Sequence, residues 1–106
     1  MLRGTLNRLL ADAVTAAASD AAVALEPLIA YDRNHSGDLV RTLHIYLALG
    51  CNASRAAEAL YLHRSGLLYR LGRIEDLLGV DLTSFRERVA LEIAVLGIED
   101  GSATTG

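Results

Sequence analysis

Apolar residues recur at helical rather than alternating spacing along almost the whole chain, and no alternating β-branched run competes with them. From Thr5 to Ala18, Leu6, Leu9, Leu10, Ala13 and Val14 form a first helical stripe. The Ala-rich continuation past Ser19 and Asp20 is weakly amphipathic and is expected to break near Pro27. Glu26-Pro27 then opens a short helix through Tyr31 that ends in the polar cluster Asp32 to Gly37.

From Asp38 the pattern sharpens. Leu39, Leu43, Tyr46 and Leu47 make one stripe, and Gly50 stands where a left-handed cap closes a helix ending at Leu49. Ile45 and Leu49 add a second stripe, so this helix is expected to be central and covered on two sides, by another helix or another subunit. Asn52 and Ser54 are candidate N-caps for a helix of barely two turns, Arg55 to Leu60, which only tertiary packing can hold. After Tyr61-Leu62-His63 comes a longer helix, Arg64 to Leu78, whose Leu67, Leu71, Ile74 and Leu78 fall within about 60° of arc. Gly79 ends it. Ser84-Phe85-Arg86-Glu87 has a capping-box pattern and starts a last helix through Val89, Ile93 and Leu96, before a Gly, Ser and Thr tail. The fold class is all-α, with five or six helices.

Composition narrows the function classes. A chain of 106 residues is sized for one domain, and its single cysteine excludes an internal disulfide framework. The uninterrupted apolar runs, Ala21 to Leu25 and Leu28 to Tyr31, fall short of the roughly 20 residues of a membrane helix. The start Met1-Leu2-Arg3-Gly4 lacks a signal-peptide core. A cytoplasmic protein with no membrane partner is therefore expected. His35, His44 and His63 show no metal-ligand spacing and no carboxylate dyad, so neither an enzyme nor a metal or other cofactor is expected. Every basic residue is arginine. The net charge is −3, yet Cys51 to Ile74 holds Arg55, Arg64, Arg70 and Arg73 against Glu58 alone, a local +3 inside a chain whose other 82 residues carry −6.

A short Ala-rich helix, a turn of about three residues and a helix with a leucine face and an arginine face form the pattern of a helix-turn-helix. Ala56 and Ala57 permit a close crossing, Leu60 and Leu62 fill the angle, and Leu67 with Leu71 anchors the second helix. The outward arc then holds Ser65, Gly66, Tyr69, Gly72 and Arg73, with Arg70 on its shoulder and His63 and Arg64 at the N-terminal end that enters a major groove. Candidate DNA contacts are Arg64 to guanine or phosphate, Arg70 and Arg73 to phosphates, and Tyr69 at the groove edge. Asn52, Ser54 and Arg55 stand at a helix N-terminus suited to a phosphate.

The segments Leu25 to Asp32, Asp38 to Leu43, Cys51 to Leu60 and His63-Arg64-Ser65-Gly66-Leu67-Leu68-Tyr69-Arg70-Leu71 resemble the C-terminal DNA-binding domain of PucR-type bacterial transcriptional regulators. That group includes the sugar-diacid (CdaR-like) regulators and is related to the Fis-like helix-turn-helix. The sequence departs from the family pattern at Ser65, where Asn is usual, and at Gly66, where Thr is usual. The resemblance implies sequence-specific binding of double-stranded DNA as the output domain of a regulator at the nucleoid. It also implies an effector sensed only through an N-terminal region absent here, and because one recognition helix gives little affinity by itself a homodimer is expected. On this reading residues 1–24 are a connecting helix or linker, 25–97 the DNA-binding domain and 98–106 a flexible tail. The alternative is a helical dimerisation or protein-interaction module that no longer binds DNA, supported by Ser65, Gly66 and the acidic balance.

Overall fold

The computed structural model describes the backbone of residues 2–105 and the side chains of residues 2–99. Among these, five helices and no strand occur: α1 (Leu2–His35), α2 (Leu39–Ala48), α3 (Ala53–Ala59), α4 (Arg64–Leu78) and α5 (Phe85–Thr105). The all-α class and the bounds of α4 match the sequence pattern, while α2 ends one residue before the expected Leu49 and α3 starts two residues before the expected Arg55 and ends one before Leu60.

The expected break at Pro27 does not occur. α1 passes through it as one helix, across the expected boundary after residue 24. A proline removes one N–H from the ladder and leaves the carbonyl four residues back without its donor. Here that carbonyl belongs to Val23, which is 74% exposed, so solvent can satisfy it. On the other side, Leu25 and Leu28 are fully enclosed in the core, so packing fixes both flanks of the defect. Continuity also changes the membrane picture. An 18-residue window of α1 reaches a mean hydropathy of 1.4, long and apolar enough to span a bilayer, because alanines join runs that are short when taken singly. Of that window 22% is buried, with Ala21, Leu25 and Leu28 entering the domain interior.

α1 and α5 lie side by side through small residues. A Cβ added at Gly97 would sit 2.9 Å from the Ala21 Cβ, so glycine sets their approach. α5 continues to Thr105, through the span expected as a tail; the side chains from residue 100 lie outside the described residues.

α2 is central and packs on α1, α3, α4 and α5. Leu39, Leu43 and Leu47 are buried, while the second stripe, Ile45 and Leu49, is half-buried against the same core. Asp38 occupies the N-cap position without a side-chain capping bond. The cap comes from α1: Asp32 accepts from the Leu39 N–H through Oδ1 at 2.7 Å and from the Val40 N–H through Oδ2 at 3.0 Å. At the other end Gly50 is left-handed (φ 70°) and Cys51 follows it there (φ 61°), half-buried against the core.

The turn before α5 uses half of its capping box. Ser84 Oγ accepts from the Glu87 N–H at 3.3 Å, but the Glu87 carboxylate reaches Asp81 N instead of closing on Ser84.

Candidate nucleic-acid interface

The α3–α4 unit is assembled from small and apolar residues. Ala56 and Ala57 are buried where the helices cross, Leu60 closes the angle, and Leu67, Leu71 and Ile74 seat α4 in the core. α3 has seven residues, too few for independent stability, and is held by this packing and by its cap. Asn52 Oδ1 accepts from the Arg55 N–H at 3.0 Å, so Asn52 is the N-cap and Ser54 lies within the first turn.

α3 ends in a Schellman turn: Leu62 N donates to Ala57 O at 2.8 Å and Tyr61 N to Glu58 O at 3.2 Å. The left-handed position of such a turn favours glycine, yet Tyr61 holds it at φ 56° with its side chain 94% exposed.

The N-terminal end of α4 is open. His63 takes the N-cap position in extended geometry without a side-chain capping bond. His63, Arg64 and Ser65 are exposed, as are Asn52, Ser54 and Arg55 at the start of α3. Tyr69, one turn on, is 68% exposed. Gly66 and Gly72 are half-buried, and a Cβ at either would meet nothing within 4 Å.

Two of the candidate arginines are engaged within the fold. Arg70 Nη1 donates to Thr42 Oγ1 at 3.2 Å and lies 3.9 Å from the Asp38 carboxylate. Thr42 is fully buried, and its hydroxyl also donates to Asp38 O at 2.6 Å, so it is satisfied on both sides. Arg73 is half-buried, with its guanidinium carbon 5.4 Å from the Tyr31 ring centre, a cation–π contact. Its Nε is enclosed without an acceptor among the described residues. Tyr31 also stacks on His35, the ring centres 4.3 Å apart. Arg70 is thus engaged by a hydrogen bond to α2 and Arg73 by a cation–π contact with α1.

Sequence reasoning missed Leu68. It reads as one more apolar residue of a leucine-rich helix, yet it is 45% exposed and shares the open face with Ser65 and Tyr69. Its wheel position, about 100° from Leu67, was the available signal.

The remaining histidines lie apart from this face. His44 Nε2 is 3.0 Å from Glu99 Oε1 between α2 and α5, and His35 is on α1. Among the described residues no three His, Cys, Asp or Glu side chains come together as a metal site.

A family model described as the PucR C-terminal helix-turn-helix domain matches residues 39–96. The chain is 38% identical over 69 residues to the proline-responsive transcriptional activator PutR of Bacillus subtilis (strain 168), covering 65% of this chain and 17% of that protein. It is 38% identical over 69 residues to the purine catabolism regulatory protein of the same organism, covering 61% and 13%. With the carbohydrate diacid regulator of Escherichia coli (strain K12) it shares 37% over 62 residues, covering 58% and 16%. The matched region is thus less than a fifth of the length of these relatives. No solved structure matches.

Proposed function

The chain belongs to the PucR C-terminal helix-turn-helix domain family, and we propose that it binds double-stranded DNA sequence-specifically, as the non-enzymatic output domain of a transcriptional regulator. One observation carries this reading: His63, Arg64 and Ser65 stand exposed at the free end of a helix whose Leu67 and Ile74 are completely buried. That arrangement gives a rigid, cationic rod end of the width a major groove accepts.

In the proposed complex Arg64 and Ser65 face base edges, with His63 and Tyr69 beside them. Asn52, Ser54 and Arg55 present the start of α3 to a phosphate. Arg70 and Arg73 set the pose of α4 from its flanks. One recognition helix gives little affinity by itself, so a homodimer on half-sites about 34–36 Å apart completes the proposal. Effector sensing is assigned to another part of the full-length protein, which works at the nucleoid in the cytoplasm.

The engagement of Arg70 and Arg73 inside the fold favours the second reading, a protein-interaction module without DNA affinity. Gel shifts on genomic fragments separate the two. The DNA reading expects wild type to retain fragments, Arg64→Ala to lose about tenfold or more, and Arg33→Ala, an exposed α1 residue paired with Glu26, to behave as wild type. Failure of all three to retain any fragment supports the protein-interaction reading.

A further inference from the structure

We infer that Leu68 is a specificity-determining residue that reads the C5 methyl group of a thymine; the inference rests on the DNA-binding reading above.

At 100° per residue, Ser65, Leu68, Tyr69, Gly72 and Asp76 occupy about 100° of the α4 surface. This is the arc opposite Leu67, Leu71 and Ile74, which are buried. A single exposed leucine on a protein surface needs no explanation. Leu68 differs because of where it stands. It lies one turn from Arg64 and three residues from Ser65, and helical side chains lean toward the N-terminus of their helix. Its isobutyl group therefore covers the patch beside Arg64 and Ser65, the part that penetrates deepest into a groove. Gly72, one turn further on, has no side chain to shield it. The interior has no vacancy assigned to it either: Leu67 next door already fills the core position at 0% exposure.

Chemistry then names the ligand group. Base edges in the major groove present donors and acceptors at every position, and the thymine methyl is the apolar exception. An isobutyl group at this depth would leave polar edges unpaired against any other base. It gains contact area only from that methyl.

Replacement of dT by dU removes the methyl and keeps every hydrogen-bonding atom, so it tests the contact atom by atom. A genomic fragment retained by the full chain is footprinted, and its site is synthesised with each dT replaced in turn by dU. Affinities are measured for wild type and for Leu68→Ala, whose fold is checked by circular dichroism. For wild type, one dU per half-site is expected to weaken binding about fourfold, the worth of one buried methyl group. The same substitution should change Leu68→Ala binding by less than about twofold. The inference is overturned if wild type tolerates every dU, or if Leu68→Ala keeps the fourfold loss at the same position; in both cases the DNA-binding reading stands. Failure to retain any fragment overturns that reading and this inference together.

Discussion

Arg70 on α4 and Thr42 on α2 meet through a 3.2 Å hydrogen bond, guanidinium to buried hydroxyl, that spans 28 residues of sequence. A charged donor on an enclosed hydroxyl fixes the rotation of α4 about its axis, and with it the direction in which Arg64 and Ser65 point. Arg70→Ala and Thr42→Val should each lower unfolding free energy by about 1–2 kcal/mol. The double variant should lose about 1 kcal/mol less than the sum, as read from urea titrations in a double-mutant cycle. Arg70 engaged in this way should leave the slope of log K against log salt unchanged when replaced by Ala. Arg55→Ala should reduce it by about 0.9, one phosphate contact.

Two of the helical glycines, Gly66 and Gly97, predict opposite outcomes for the same substitution. Open space surrounds a Cβ at Gly66, so Gly66→Ala should stabilise the domain by about 0.5–1 kcal/mol through helix propensity. At Gly97 the new Cβ would meet Ala21 at 2.9 Å, and Gly97→Ala should cost about 1–3 kcal/mol as α1 and α5 are pushed apart. Thermal unfolding of the two variants checks both signs.

Much of the fold was legible because its signals are local. The leucine spacing of α4, the Asn52 cap and the left-handed Gly50 and Gly79 each act within a turn or two, so the middle helices are readable from sequence. What was not legible depends on the third dimension. Pro27 lies within a continuous helix because Leu25 and Leu28 are anchored by other elements. Asp32 caps a helix that starts seven residues later. Arg70 and Arg73 share a sequence pattern with free surface arginines, and only the positions of Thr42 and Tyr31 bring them into the fold. Leu68 was hidden by its own residue type, since composition assigns leucine to a core that already holds Leu67.

Tyr61 holds a conformation that a side chain disfavours and is 94% exposed, so it contributes strain and little burial. Tyr61→Gly should raise the unfolding free energy by about 1 kcal/mol. A denaturant midpoint that falls would show that the tyrosine ring contributes contacts outweighing the strained backbone.

Asp81 predicts a pH effect with a defined sign. The Thr83 hydroxyl, at 2.6 Å, and then the Thr83 backbone N–H, at 2.8 Å, hold its carboxyl below the ordinary carboxylate value of 3.8. A depressed folded-state pKa stabilises fully above the unfolded value and is lost as pH falls through the folded one. The stability gap between wild type and Asp81→Ala should therefore be constant from about pH 7 to pH 5 and close below about pH 3.8. Urea midpoints measured across that range read it directly.

The central claim is that the exposed end of α4 enters the major groove, and dimethyl sulfate interference tests it most directly. The reagent methylates guanine N7 in the major groove and adenine N3 in the minor groove of the same duplex, so one experiment reports both faces. The account predicts that N7 methylation at one or more guanines per half-site abolishes binding, that N3 methylation does not, and that Arg64→Ala loses the N7 effect. Interference confined to adenine N3, or an N7 effect that survives Arg64→Ala, would contradict it.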